Sequence, residues 1–220
     1  MQYPLPEKIG DPSLLVGRER EWKNFGKWLR YIGKRLGKSR VILARRKSGK
    51  TAFVQRIFNQ LWSENGAVIP FYFDIAEKKI WYPDFAINYY RSFASQYISF
   101  LERDEKLVGE PLSLPEIKEY GLTKSIKSFV RDVDFLLQEK CAGGSHDLMW
   151  KTAYSAPHRF AAVFDTRFLV ILDEFQNLAQ YVYRDGKSLY RDESIPGSFH
   201  KVGIEDRPDV GHRLLCRLAD

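Results

Sequence analysis

Three stretches of the chain are apolar without the alternation of a half-exposed strand. They are Val41–Leu43, Ala67–Ile75 and Phe168–Leu172, and the second of them contains Pro70. Unbroken apolar runs of this kind are typical of strands that are covered on both faces, as in a parallel sheet. Proline has no N–H to donate to a neighbouring strand, so Pro70 places its strand at a sheet edge or at a bulge.

Between these runs, apolar residues recur every three or four positions, which predicts amphipathic helices. The first predicted helix includes Trp22, Phe25, Trp28, Leu29 and Ile32, and the second follows Lys50 and reaches Trp62. The others are one from Pro83 or Asp84 to Leu101, one opened by the capping box Ser113–Glu116 and ended by Gly121, one over Thr123–Lys140, and one over Leu148–Val163 that is interrupted or bent at Pro157. The alternation of strands and helices predicts an α/β fold, with a helix-rich insertion before the strand Phe168–Leu172.

Composition agrees with a folded protein, since 44% of the 220 residues are hydrophobic and 15% are aromatic. No apolar run approaches the roughly 18 residues of a membrane span, and the first residues lack the pattern of a secretory signal. Cys141 and Cys216 are far apart and suggest neither a disulfide framework nor a metal site. We therefore expect a cytoplasmic protein that does not contact a membrane.

The net charge of +7 is concentrated near the start of the chain. Residues 17–60 contain 14 Lys and Arg but only two acidic residues, Glu19 and Glu21. Such a segment attracts polyphosphates, nucleic acid or an acidic partner. Nucleic-acid binding through residues 18–47 therefore stays open, beside the alternative that these charges form the solvated face of a helix.

The segment from Ala44 to Thr51, with sequence ARRKSGKT, has the form of a phosphate-binding loop between a strand and a helix. In such a loop the backbone N–H groups and the positive end of the helix dipole favour an anion. Arg46, Lys47, Ser48 and Gly49 would surround the phosphates, Lys50 would contact the β- and γ-phosphates, and Thr51 would bind Mg²⁺. Ala44 departs from the motif, because its first position is normally glycine.

The strand Phe168–Leu172 runs directly into Asp173 and Glu174. An apolar strand that ends in two acids is typical of a Walker B strand, whose aspartate supports Mg²⁺. The second carboxylate is then placed to polarise an attacking water. An alternative is that Asp173 simply caps the helix that follows. Asp74, at the end of another predicted strand, is a weaker candidate for the same edge of the sheet.

Together the motifs resemble the archaeal-type ATPase family, a group of signal-transduction P-loop ATPases related to AAA+ proteins. The resemblance rests on Val16-Gly17-Arg18-Glu19 before a helix, on the loop ending in Gly49-Lys50-Thr51, and on the segment Leu172–Gln176. It implies a three-layer P-loop NTPase core with a parallel sheet that binds ATP and Mg²⁺. It also implies that Lys50 and Glu174 are catalytic, that Thr51 and Asp173 support the metal, and that Val16, Gly17 and Arg18 lie against the adenine.

The family pattern predicts a further strand with a polar sensor residue and then a helical lid, and residues 191–220 show neither. We expect an N-terminal arm over 1–16, an ATPase domain over 17–190 and an irregular tail over 191–220 with at most a short helix over His212–Ala219. The chain would then be a shortened or frame-altered version of a longer ATPase. A nucleotide-dependent switch with little turnover is the alternative. A completing arginine would come from a protein partner, from self-association, or from Arg184 or Arg191.

Overall fold

A computed structural model of the chain describes residues 1–9, 16–33, 39–43, 48–184 and 213–219. The fold is α/β. The elements, in chain order, are α1 (Glu19–Gly33), β1 (Arg40–Leu43), α2 (Lys50–Glu64), β2 (Val68–Asp74), β3 (Ile80–Trp81), α3 (Tyr82–Glu102), α4 (Lys106–Gly109), α5 (Leu114–Thr123), α6 (Lys127–Ala142), α7 (His146–Tyr154), α8 (Ala156–Phe164), β4 (Arg167–Asp173), α9 (Asn177–Tyr181), β5 (Val182–Tyr183) and β6 (Arg213–Ala219).

Four strands form the main sheet in the order β1-β6-β4-β2. Strands β2 and β4 are parallel along their whole length, and Asp74 lies opposite Asp173 in their register. Strand β6 is antiparallel to both β1 and β4, so that β1, β4 and β2 all point the same way. Their carboxyl ends therefore meet at one edge of the sheet, where the loop before α2 also begins.

Strand β2 lies at the margin of this sheet, which is the first of the two alternatives, an edge position or a bulge, that Pro70 suggested. An edge strand exposes backbone groups that another chain could pair with. Here the Gln96 side chain of α3 closes the edge at Tyr72: its amide N–H donates to the Tyr72 carbonyl at 2.8 Å, and its amide oxygen accepts from the Tyr72 N–H at 2.8 Å.

Alternate residues of β2 contact different helices, because successive strand side chains point to opposite faces. Phe71 and Phe73 pack edge-on against Tyr89 of α3, with ring centroids 5.2 and 5.0 Å apart. Tyr72, between them, has a side-chain hydrogen bond with Gln55 of α2. The core is continuous across α2, α3, α6, α8, β2 and β4, and the β4 residues from Phe168 to Leu172 are at most 4% exposed.

The helix-rich insertion before β4 is present, as α3 to α8, with the short strand β3 ahead of it. The capping box predicted at Ser113 is also present, since the Ser113 hydroxyl accepts from the Glu116 N–H and Glu116 accepts from the Ser113 N–H. The helix predicted over Leu148–Val163 is two helices, α7 and α8, separated at Ser155. Pro157 lies in the first turn of α8, where its missing N–H costs nothing.

Two other expectations about the strands are wrong. Val41 is 42% exposed instead of buried, because β1 lies at the margin of the four-stranded sheet. The tail expected to be irregular contains β6, and a strand over Arg213–Ala219 replaces the short helix predicted there. The main sheet is consequently mixed instead of purely parallel. None of the described helices is long and apolar enough to cross a membrane.

Candidate functional site

The centre of the candidate site is an ion pair between the start of α2 and the end of β4. Lys50 Nζ lies 3.2 Å from Asp173 Oδ1 and 3.7 Å from Glu174 Oε1. The Lys50 side chain is 8% exposed and that of Asp173 is fully buried. A buried ammonium needs a compensating charge, and the two acids predicted from the end of β4 supply it. The structure therefore brings together the two motifs that the sequence placed far apart.

Asp173 is held on both of its carboxylate oxygens. Oδ1 accepts from the Glu174 backbone N–H at 3.0 Å in addition to its contact with Lys50, and Oδ2 accepts from the Tyr72 hydroxyl at 3.2 Å. Burial raises the pKa of Tyr72 well above its ordinary value, and the negative charge of Asp173 raises that pKa further. Tyr72 thus stays a neutral hydrogen-bond donor that orients the carboxylate.

Glu174 adopts a backbone conformation that L-residues rarely use, with φ of 52°. Its carbonyl accepts from the Asn177 N–H at 2.8 Å, and the Asn177 side chain donates to the Ile75 carbonyl at 2.7 Å. The Glu174 carboxylate accepts a hydrogen bond from the Gln176 side chain. A left-handed conformation costs a non-glycine residue about 1 kcal/mol or more, so the surrounding contacts hold Glu174 in place. Strain of this kind is often found at functional sites.

Gly49 also lies in the left-handed region, with φ of 75° and ψ of 21°, and precedes the first residue of α2. The phosphate-binding motif has a glycine at this position. The left-handed conformation explains this preference, because glycine has no Cβ and adopts positive φ without strain. Thr51 follows Lys50 in the first turn of α2. The Ser48 hydroxyl oxygen is buried and has no hydrogen-bond partner among the residues that the structure describes, so it is available to a ligand. Ala44, Arg46 and Lys47 lie outside the described residues.

The segment Val16–Arg18 lies beside the loop. The Arg18 guanidinium donates to the Ser48 carbonyl, and its carbon lies 5.5 Å from the centre of the Phe53 ring on α2. Gly17 and Arg18 both have positive φ, and Val16 is 80% exposed. The three residues predicted to lie against a base are therefore next to the end of the loop. Arg184 is not there: it pairs with Asp147 at 3.0 Å, and Arg191 lies outside the described residues.

A second cation, Lys8, lies at this edge of the sheet, and it was not among the site residues predicted from the sequence. Its Nζ lies 2.8 Å from Asp74 Oδ2. The hydrogen bond to Asp74 raises the pKa of Lys8, partly offset by desolvation, and the charges of Asp74, Asp173 and Glu174 raise it further. The signal that the sequence offered was Asp74, an acidic residue at the end of a predicted apolar strand.

The arm that carries Lys8 is fastened to α2 by side chains along that helix. Arg56 donates two hydrogen bonds to Glu7, at 2.7 and 2.8 Å, and the Glu7 side chain is 1% exposed. Asn59 exchanges hydrogen bonds with the backbone of Leu5, and Gln55 accepts from the Lys8 N–H at 2.7 Å. The position of Lys8 is thus fixed relative to the helix that begins with Lys50.

The described residues contain no group of three or more His, Cys, Asp or Glu side chains that could hold a metal ion by themselves. A metal at this site would therefore need ligands from a bound molecule or water, as Mg²⁺ commonly does beside phosphates. Thr51 and Asp173 are a chemically suitable pair for that purpose. Comparisons with protein-family models, with curated proteins and with solved structures found no match for the chain.

Proposed function

We propose that the chain binds ATP with Mg²⁺ and hydrolyses it at the junction of Gly49–Thr51 with Asp173–Glu174. One observation carries the proposal: the buried Lys50 ammonium lies 3.2 Å from Asp173, at the point where a loop with a left-handed Gly49 enters a helix. A helix N-terminus with exposed N–H groups, a lysine and an acid pair form a site for a polyphosphate and its metal.

The wider fold supports the same proposal and the family resemblance behind it. Strands β1, β4 and β2 point the same way, which puts the loop and both acids at one edge of the sheet. Helices α2 and α3 contact β2 through alternate residues, as in a three-layer core. We infer membership of the archaeal-type ATPase family from these features together with the motifs.

In the proposed reaction, Lys50 exchanges its carboxylate partners for the β- and γ-phosphates. Its present pairing keeps a buried charge compensated until a phosphate arrives. Thr51 and Asp173 would hold Mg²⁺. The bound metal ion would neutralise part of the negative charge of the phosphates. Glu174 accepts the proton of the attacking water. The Gln176 side chain donates to its carboxylate, and the Asn177 N–H donates to its backbone carbonyl. A further cation from a second copy or a partner protein would complete charge neutralisation.

Titration with a fluorescent ATP analogue, with and without Mg²⁺, tests the binding step. We expect the wild type to bind more tightly with Mg²⁺, and Lys50→Ala to weaken binding by about tenfold or more, because a charge-assisted contact to phosphate is lost. Lys127→Gln, an exposed lysine at the start of α6, is the matched control and should bind like the wild type. Equal affinity of wild type and Lys50→Ala would refute the proposed site.

Phosphate release separates hydrolysis from binding alone. We expect Glu174→Gln to bind the analogue like the wild type but to release phosphate about 100-fold more slowly, since loss of a general base costs that order of rate. If wild type and variant release phosphate equally, Glu174 is not the base. Tight binding with no release from the wild type would instead favour a nucleotide-dependent switch, the alternative that Ala44 already suggests.

A further inference from the structure

A cavity of about 680 Å³ lies beyond the carboxyl end of β2, between α3 and the loop that joins β2 to β3. Its size falls within the range of about 300–1,000 Å³ that is usual for small-molecule sites. Asp74 lines it, but Lys50, Asp173 and Glu174 do not. It is therefore a neighbour of the proposed nucleotide site and not a part of it.

One wall of the cavity is a polar stripe on α3, formed by Asp84, Asn88 and Arg91. Residues at this spacing share one face of a helix. The charge of Asp84 is already compensated, because Lys140 Nζ lies 3.0 Å from its carboxylate. Among the residues that the structure describes, neither the Asn88 amide nor the Arg91 guanidinium makes a hydrogen bond or a direct ion pair with a side chain, although the charge of Arg91 interacts with Glu116 at longer range. Both side chains are thus available to a ligand.

Arg91 is the best-positioned of these groups. It is half-buried, and it donates from Nε to the Leu112 carbonyl at 2.7 Å and from Nη2 to the Pro111 carbonyl at 2.9 Å. A guanidinium has five N–H donors, so these bonds fix its plane and leave other donors unused. The carbonyls do not cancel its charge, which interacts with the Glu116 carboxylate without a direct ion pair among the described residues. An anion that entered the cavity would therefore meet a preorganised cation.

The remaining walls combine apolar side chains of the core with lysines of an exposed loop. Phe73, Phe85 and Val182 line the cavity and belong to the core or pack against it. Lys78 and Lys79 line it from the exposed loop after β2. An apolar wall with a few convergent polar groups is the usual composition of a small-molecule site, and the charges here favour a negative head group.

We propose that this cavity binds a small organic anion that has an apolar body. The carboxylate, sulfonate or phosphate head accepts hydrogen bonds from Arg91 and Asn88, and the body packs against Phe73, Phe85 and Val182. The binding does not depend on the nucleotide site, so it can be tested separately from the proposed ATP binding.

The probe is 8-anilinonaphthalene-1-sulfonate, whose fluorescence rises in apolar surroundings and which carries one sulfonate. We expect the wild type to bind one probe per chain, and N-phenyl-1-naphthylamine, which has the same body without the sulfonate, to bind about tenfold more weakly or worse. Absence of probe binding by the wild type, or equal binding of the neutral compound, would overturn the proposal.

Three variants locate the probe. Arg91→Gln should weaken its binding by about tenfold and Asn88→Ala by a smaller factor, because each removes a donor to the sulfonate. Ala76→Trp, in the exposed loop, should abolish binding by filling the cavity while leaving every charge in place.

Lys127→Gln and Lys118→Met, at exposed positions, are the controls and should bind the probe like the wild type. If Arg91→Gln does not fold, Asn88→Ala and Ala76→Trp still decide the outcome. Unchanged binding by Ala76→Trp, or loss of binding in Lys127→Gln, would place the probe elsewhere and contradict the proposal.

Discussion

At the scale of single residues, the chemistry of the site depends on how Asp173 is satisfied. The carboxylate is fully buried, and in the described part of the chain its donors are Lys50, the Glu174 N–H and the Tyr72 hydroxyl. Removing one member of a buried ion pair leaves an uncompensated charge, which is more costly than removing both. Lys50 and Asp173 should therefore be strongly coupled in stability as well as in ligand binding.

We expect Lys50→Met and Asp173→Asn each to lower the free energy of unfolding by about 2–4 kcal/mol, since each leaves the partner charge poorly compensated. The loss of unfolding free energy in the double variant should be smaller than the sum of the two single losses, by about 1–3 kcal/mol. Urea denaturation of the four proteins gives this coupling directly.

The matched control is the exposed pair Lys118–Asp134, whose charged atoms are 2.6 Å apart and whose side chains are 37% and 51% exposed. The same cycle with Lys118→Met and Asp134→Asn should give a coupling of about 0.2–1 kcal/mol, because water screens the pair. A coupling at Lys50–Asp173 no larger than that of the control would contradict the interpretation.

At the scale of elements, the contact between α5 and α6 depends on Gly121. The sequence suggested that this glycine ends α5, but α5 continues to Thr123. A Cβ at position 121 would lie 2.9 Å from the Cβ of Phe129 and 3.2 Å from the Ile126 carbonyl oxygen. The residue is thus small because α6 packs against it, and a pattern read along one helix does not reveal such a contact.

We expect Gly121→Ala to lower the free energy of unfolding by about 1–3 kcal/mol, because the methyl group would force the start of α6 away from α5. Gly26 in α1 is the matched control, since a Cβ there has no neighbour within 4 Å. Gly26→Ala should instead raise the free energy of unfolding by about 0.5–1 kcal/mol, the usual gain in a helix. Thermal denaturation measures both effects, and shifts of the same sign would contradict the packing argument.

At the scale of the whole molecule, buried tyrosines make the stability of the fold depend on alkaline pH. Burial raises the pKa of Tyr72 and Tyr90 well above the ordinary value, and it raises the pKa of Tyr97 to about 12. Tyr97 lies in the centre of the core, with its ring 5.2 Å from that of Phe168 and 5.8 Å from that of Phe160.

A raised pKa means that the folded state holds the proton more tightly than the unfolded state. The contribution is fully present below pH 10, the ordinary pKa of tyrosine, and is lost as pH rises from 10 towards 12. One such group changes the free energy of unfolding by at most about 1.4 kcal/mol per pH unit. In Tyr97→Phe, the free energy of unfolding should fall less steeply between pH 10 and 12, by up to about 1.4 kcal/mol per pH unit. Urea denaturation at several pH values measures this slope. Tyr31→Phe, at an exposed position, is the control, and an unchanged slope in Tyr97→Phe would contradict the prediction.

The sequence by itself determined the local features of this protein. The apolar strand Phe168–Leu172, the amphipathic helix after Lys50, the capping box at Ser113 and the edge position of Pro70 all follow from periodicity, propensity and the missing N–H of proline, which are properties of neighbouring residues. The same reasoning assigned Lys50, Thr51, Asp173 and Glu174 to one candidate site, because a strand–loop–helix motif and a strand ending in acids each have few structural solutions. It did not predict the direct ion pair between Lys50 and Asp173.

Only the tertiary structure decided which distant segments meet. Four features depend on contacts between segments that are separate in the chain. They are the antiparallel position of β6 between β1 and β4, the ion pair of Lys8 with Asp74, the hydrogen bond from Tyr72 to Asp173, and the packing of α6 against Gly121. Such pairings are selected by the fit of whole surfaces and by the compensation of buried charge, and neither is encoded in the period of a single segment.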